Sequence, residues 1–97
     1  MLRYLNILIF GMLLMLAGCA SIPSQEMADA RTELRAAETA NAARYAPEPL
    51  AEARKYLADA ERRLELGDYA DAQRNADQAR LYAISARRQA QRIMADH

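Results

Sequence analysis

The sequence predicts an all-α protein: a signal segment, then three helices, the second and third folded into an antiparallel αα-hairpin around Gly67 on an alanine-rich heptad seam. Glycine and proline are scarce, three of each in 97 residues, which argues against an all-β chain that needs many turns. Alanine is abundant beside Glu, Arg, Leu and Gln, a set of strong helix formers. From Met27 onward apolar residues recur at 3–4 spacing, the period of a helix with one buried face.

The N-terminus has the anatomy of a removable signal, expected over residues 1–18. Met1-Leu2-Arg3-Tyr4 gives a short, weakly positive start, and Ile7 to Leu16 is apolar apart from Gly11. Ile7 to Ala17 is about 11 residues, well short of the roughly 20 that a membrane-spanning helix needs. Ala17 and Gly18 are small enough for a peptidase to approach the backbone. Cys19 is the only cysteine, so an internal disulfide is excluded.

Residues 19–24 form a polar tether in which Ser24 is the expected N-cap of the first helix, 25–45. Met27, Ala30, Leu34, Ala37 and Asn41 make one stripe of that helix. Asn41 either specifies register in an oligomer or marks where the stripe leaves the core. In "YAPEPL", Ala46 precedes a proline and is pushed out of the helical region. Pro47 suits the first turn of the second helix, 47–66. Leu50, Ala53, Leu57, Ala60 and Leu64 hold heptad spacing along it. Gly67 is the natural left-handed residue after its end, and Asp68 caps the third helix, 69–95. There Tyr69, Ala72, Ala76, Ala79, Ala83, Ala86, Ala90 and Ile93 keep 3–4 spacing without a slip.

An alanine seam lets helix backbones approach closely, but each alanine buries little apolar area. A chain of this size is then marginal alone, so self-association or a protein partner on the helix faces is expected. Thirteen basic and thirteen acidic residues cancel, which argues against nucleic acid as a partner. No metal or other cofactor is expected, since His97 is terminal and has no ligand companion. Ser24 and Ser85 lack a histidine base, and Glu52, Asp59, Glu61 and Glu65 alternate with Arg and Lys as on a solvated face. Catalysis is not expected. Arg80, Arg87, Arg88 and Arg92 crowd the C-terminal half of the third helix. They complement the helix dipole there, or they contact phosphates, anionic lipid or peptidoglycan carboxylates. Tyr69 and Tyr82 are expected to pack along the seam, and Tyr45 and Tyr56 to close the corner between the first two helices.

Leu16-Ala17-Gly18-Cys19 resembles the lipobox of bacterial lipoproteins. The resemblance implies that the Cys19 thiol receives a diacylglycerol, that the signal is cut before it, and that the new amino group is acylated. The alternative is a buried, inert thiol in a secreted domain. Because Ala20 stands where an aspartate retains such proteins in the inner membrane, the resemblance implies the periplasmic face of the outer membrane. Residues 42–91, with Tyr45-Ala46-Pro47, Leu50, Ala53, Leu57, Ala60, Gly67-Asp68-Tyr69 and Ala72, Ala76, Ala79 and Ala83, resemble an alanine-rich helical domain of unknown function found in envelope lipoproteins. Gly67, Tyr69 and Ala72 are more weakly similar to one tetratricopeptide hairpin, without the further copies that such an array stacks. A comparison with the small murein lipoprotein fails at the end of the chain, because the only lysine is Lys55. The expected protein is a non-enzymatic envelope lipoprotein, structural or adaptor-like. The alternative is an arginine-based module for peptidoglycan or anionic lipid.

Overall fold

The computed structural model describes residues 3–9 and 21–96. Residues 16–19, and with them Leu16, Ala17, Gly18 and Cys19, lie outside the described residues, as does His97. Residues 3–9 are helical (α1). Beyond them come α2 (Ser24–Thr39), α3 (Ala42–Tyr45), α4 (Pro47–Glu65) and α5 (Tyr69–Ala95), with no strand among the described residues.

The expected first helix is two helices. Asn41 adopts a left-handed conformation, φ 63°, and separates α2 from α3. Asn tolerates that region better than most residues because the steric penalty for its short side chain there is modest. The Ala40 and Asn41 N–H groups donate to the Ala36 and Glu38 carbonyls, 3.0 Å each, and close the end of α2. Asn41 is exposed, whereas Ala42 is buried and takes over the core position. Asn41 therefore marks where the stripe leaves the core.

The start of α2 also differs from expectation. Pro23, not Ser24, occupies the N-cap position; it is buried, and its carbonyl accepts from Met27 N–H at 3.0 Å. Ser24 Oγ donates backward to the Ile22 carbonyl at 3.2 Å, so it caps nothing in the helix. A proline with φ near −76° already holds the chain in a helix-compatible turn.

At the second corner the sequence is obeyed. Ala46 has φ −146° and ψ 56°, outside the helical region, and Pro47 begins α4. The α4–α5 turn is a Schellman motif: Asp68 N–H donates to Arg63 O at 2.9 Å and Gly67 N–H to Leu64 O at 3.1 Å. Gly67 has φ +78°, and an added Cβ would meet nothing within 4 Å, so conformation alone demands glycine. Asp68 occupies the N-cap of α5 without a side-chain cap bond; its carboxylate pairs with Arg63 at 3.8 Å.

The three long helices run up, down and up. Arg31 pairs with Glu61 at 3.5 Å and Arg54 with Glu38 at 4.0 Å. Numbers rise on α2 as they fall on α4, so these two are antiparallel. Met27 and Ala30 share a cluster with Leu57, Ala60, Ala76 and Ala79, while Ala37 meets Leu50, Ala86 and Ala90. That order makes α2 parallel to α5 and α4 antiparallel to it. The 27-residue α5 is the wall against which both other helices pack. The expected αα-hairpin is present, and α2 lies along its longer arm.

The core is two clusters joined through half-buried Leu34. Every seam alanine from Ala72 to Ala90 is buried, while Tyr69 and Ile93 at its ends are half-buried. The largest fully buried side chains are Met27 and Leu50. No charged or polar residue is buried among the described residues.

Candidate functional site

With 3.6 residues per turn, Arg88 and Arg92 lie on the side of α5 opposite its alanine seam. Arg80, Arg88 and Arg92 are exposed and have no acidic partner within ion-pair distance among the described residues. Arg87 points elsewhere. Its Nε donates to Glu33 Oε2 at 3.4 Å, both side chains half-buried, and ties α5 to α2. One of the four expected ligand contacts is thus already occupied inside the bundle.

Arg88 and Arg92 line a shallow groove with Leu81, Ile84, Ser85, Gln91 and Ala95. All of these residues come from α5. A turn spacing of three and four brings them to one face, because residues so separated sit one above the other. Leu81 is an exposed large hydrophobe on that face. Two guanidinium groups a turn apart, a hydroxyl and an amide can meet a carboxylate or phosphate, with Leu81 and Ile84 offering apolar contact.

A neighbouring groove has the opposite charge. Glu48, Pro49, Ala51 and Glu52 from α4 face Tyr82, Ser85 and Gln89 from α5. Ser85 belongs to both grooves. The surface at this level of the bundle is therefore basic on one side of Ser85 and acidic on the other.

The tyrosines divide differently from expectation. Tyr56 stacks on Tyr82 with ring centroids 5.5 Å apart and planes 7° from parallel, joining α4 to α5. It does not close the corner with Tyr45. Tyr45 does pack there, against the cluster of Ala42, Ala46 and Leu50, with the Arg44 guanidinium 5.3 Å from its ring centre. The antiparallel packing of α4 on α5 brings Tyr56 and Tyr82 to one level of the hairpin.

Near the turn, Asp71 sits in the first turn of α5 and accepts a hydrogen bond from Arg74. That bond, with the positive charges of Arg74 and Arg63 nearby, holds the Asp71 carboxyl below the ordinary aspartate range. Among the described residues, no group of three or more His, Cys, Asp or Glu side chains is placed to hold a metal. No helix among the described residues is long and apolar enough to cross a membrane.

No curated protein and no solved structure matches the chain. A family match covers residues 25–96. It takes in α2 and α3 as well as the hairpin of the 42–91 resemblance, so the match spans the whole helical bundle. The chain belongs to the family described as Domain of unknown function (DUF4398).

Proposed function

We propose that this protein is a lipid-anchored bacterial envelope lipoprotein with a non-enzymatic helical domain acting as a structural or adaptor module at the periplasmic face of the outer membrane. The observation that carries it is the position of Cys19. The lipobox-like Leu16-Ala17-Gly18-Cys19 ends only a few residues before α2 begins at Ser24. A chain cleaved before Cys19 would consist of an acyl anchor followed almost at once by the folded domain. Its acyl chains would exceed the two signals that stable membrane attachment requires.

The helix faces support an adaptor role. The seam is filled with alanine, so the apolar area buried per residue is small. Leu81, Ile84 and Ala95 remain on the outer face of α5, beside Ser85. A partner helix laid on that face would add the apolar area that the bundle lacks.

The test is capture of partners by the lipidated protein from detergent-solubilised envelope, at low and high salt. One protein partner retained at high salt supports the adaptor reading. A second reading rests on the paired, acid-free Arg88 and Arg92: recognition of peptidoglycan carboxylates or anionic lipid. It predicts wall fragments or lipid in the capture, lost at high salt and lost with Arg88→Gln and Arg92→Gln.

A further inference from the structure

The same end of the bundle carries the start of α2 and the α4–α5 turn. Met27, in the first turn of α2, packs with Leu57 and Ala60 from the second half of α4 and with Ala76 from the first half of α5. Two large apolar side chains protrude at that end. Leu66, in the turn, is 69% exposed, and Ile22, just before α2, is 54% exposed. Neither belongs to the core clusters, and the exposed part of each is apolar surface left in water.

We propose that this end rests on the lipid bilayer, with Leu66 and Ile22 entering the interface between headgroups and acyl chains, and that the bundle stands up from it. The inference rests on the lipid-anchor reading above and adds an orientation to it. The length of the leash is the main support. Five residue steps separate Cys19 from Ser24, and even fully extended they span no more than about 18 Å. An acylated Cys19 therefore holds this end of the bundle close to the headgroups. The opposite end is not so held. From Tyr69 to Arg92 the helix rises about 35 Å, so Arg88 and Arg92 would project tens of ångströms from the lipid.

Charge around the turn fits insertion without electrostatic attraction. Arg62 and Arg63 are offset by Glu65 and Asp68, and the Arg63–Asp68 pair at 3.8 Å already joins two of these. Arg62 is exposed and lies one turn before Leu66. Its guanidinium can stay at headgroup level while Leu66 goes deeper, as long basic side chains do at an interface. The contact should consequently be indifferent to salt, unlike binding through a basic patch.

The experiment uses the full lipidated chain in vesicles of phosphatidylethanolamine and phosphatidylglycerol. A Leu66→Cys variant and an Ala43→Cys variant are each labelled with an environment-sensitive fluorophore. Ala43 is exposed on α3, at the far end. In an acylated chain the Cys19 sulfur is a thioether, so only the new thiol takes label. Nitroxide-bearing lipids should quench the label at position 66 several-fold more than at position 43, at low and high salt alike. Equal quenching at both positions in a chain that floats with the vesicles overturns the orientation and leaves the anchor standing. A chain that does not float, with Cys19 open to labelling, overturns the anchor and the tip contact together.

Discussion

Leu50 is the side chain on which the upper half of the core depends. It is 1% exposed, and the buried residues around it are Ala37, Ala42, Ala46, Ala86 and Ala90. In Leu50→Ala, the lost transfer of three carbons costs about 2–3 kcal/mol, and the cavity left behind adds to it. Its buried neighbours are alanines, which have no rotamers with which to fill a void, and Leu34 and Tyr45 pack only at the half-buried edge of the cluster. Closing it would need α2, α3 and α5 to move together, so the cost should be about 3–4 kcal/mol. A folded region of about 72 residues has a stability of roughly 4–10 kcal/mol. The variant would lose a large share of that, and its melting temperature should fall by about 15–25 °C. Circular dichroism at the helical band, with heat and with urea, measures both quantities. Leu66→Ala is the internal control: Leu66 is largely exposed, so removing it should cost no more than about 0.5 kcal/mol. If Leu50→Ala melts within a few degrees of Leu66→Ala, the alanine-lined core is not close-packed in solution and the reasoning fails.

Ala86→Leu tests the same cluster from the other side: Ala86 is wholly buried, and the added carbons should cost about 1–3 kcal/mol by overpacking, read from the urea midpoint. Gly67→Ala should cost about 1 kcal/mol, since the left-handed backbone at φ +78° penalises a Cβ although space is open around it; an unchanged midpoint would show that the turn rearranges. Asp71 should titrate below the ordinary aspartate range in a carbon-detected carboxyl experiment, and Arg74→Gln should move it upward. Because the folded value is the lower one, its stabilisation is complete at neutral pH. It fades as pH falls through about 4, the ordinary aspartate value, and is gone below the lowered one. Arg88→Gln with Arg92→Gln should leave the melting temperature unchanged, whereas Arg87→Gln should lower stability by at most about 1 kcal/mol through loss of the Glu33 pair; equal effects would mean that the arginines do not differ as the geometry says.

Where the chain's direction is set by covalent restriction, the sequence was enough. Pro47 forces Ala46 out of the helix, and Gly67 supplies a positive φ, so both hairpin helices were legible almost to the residue. Asn41 was not, because asparagine only tolerates the left-handed region and sits equally well on a helical stripe until a turn is needed to bury Ala42 and Ala46. Ser24 lost the cap to Pro23 for a tertiary reason: the proline is buried where the tether meets the bundle. The basic patch was legible as composition, but its division was not. Arg87 and Arg88 are neighbours in sequence, and only the placement of Glu33 on a parallel α2 decides that one is held and the other free.

The parallel run of α2 and α5 has a mechanical consequence. The chain enters the bundle at the end marked by Pro23 and leaves α5 at the other, near Ala95. Tension between those points drags α2 and α5 past each other along their shared length, in shear. Contacts in both core clusters and the Arg87–Glu33 pair are then loaded together rather than peeled apart one by one. Since forced unfolding follows the unfolding rate and not the equilibrium stability, a bundle of modest thermal stability built this way should hold firmly when stretched end to end.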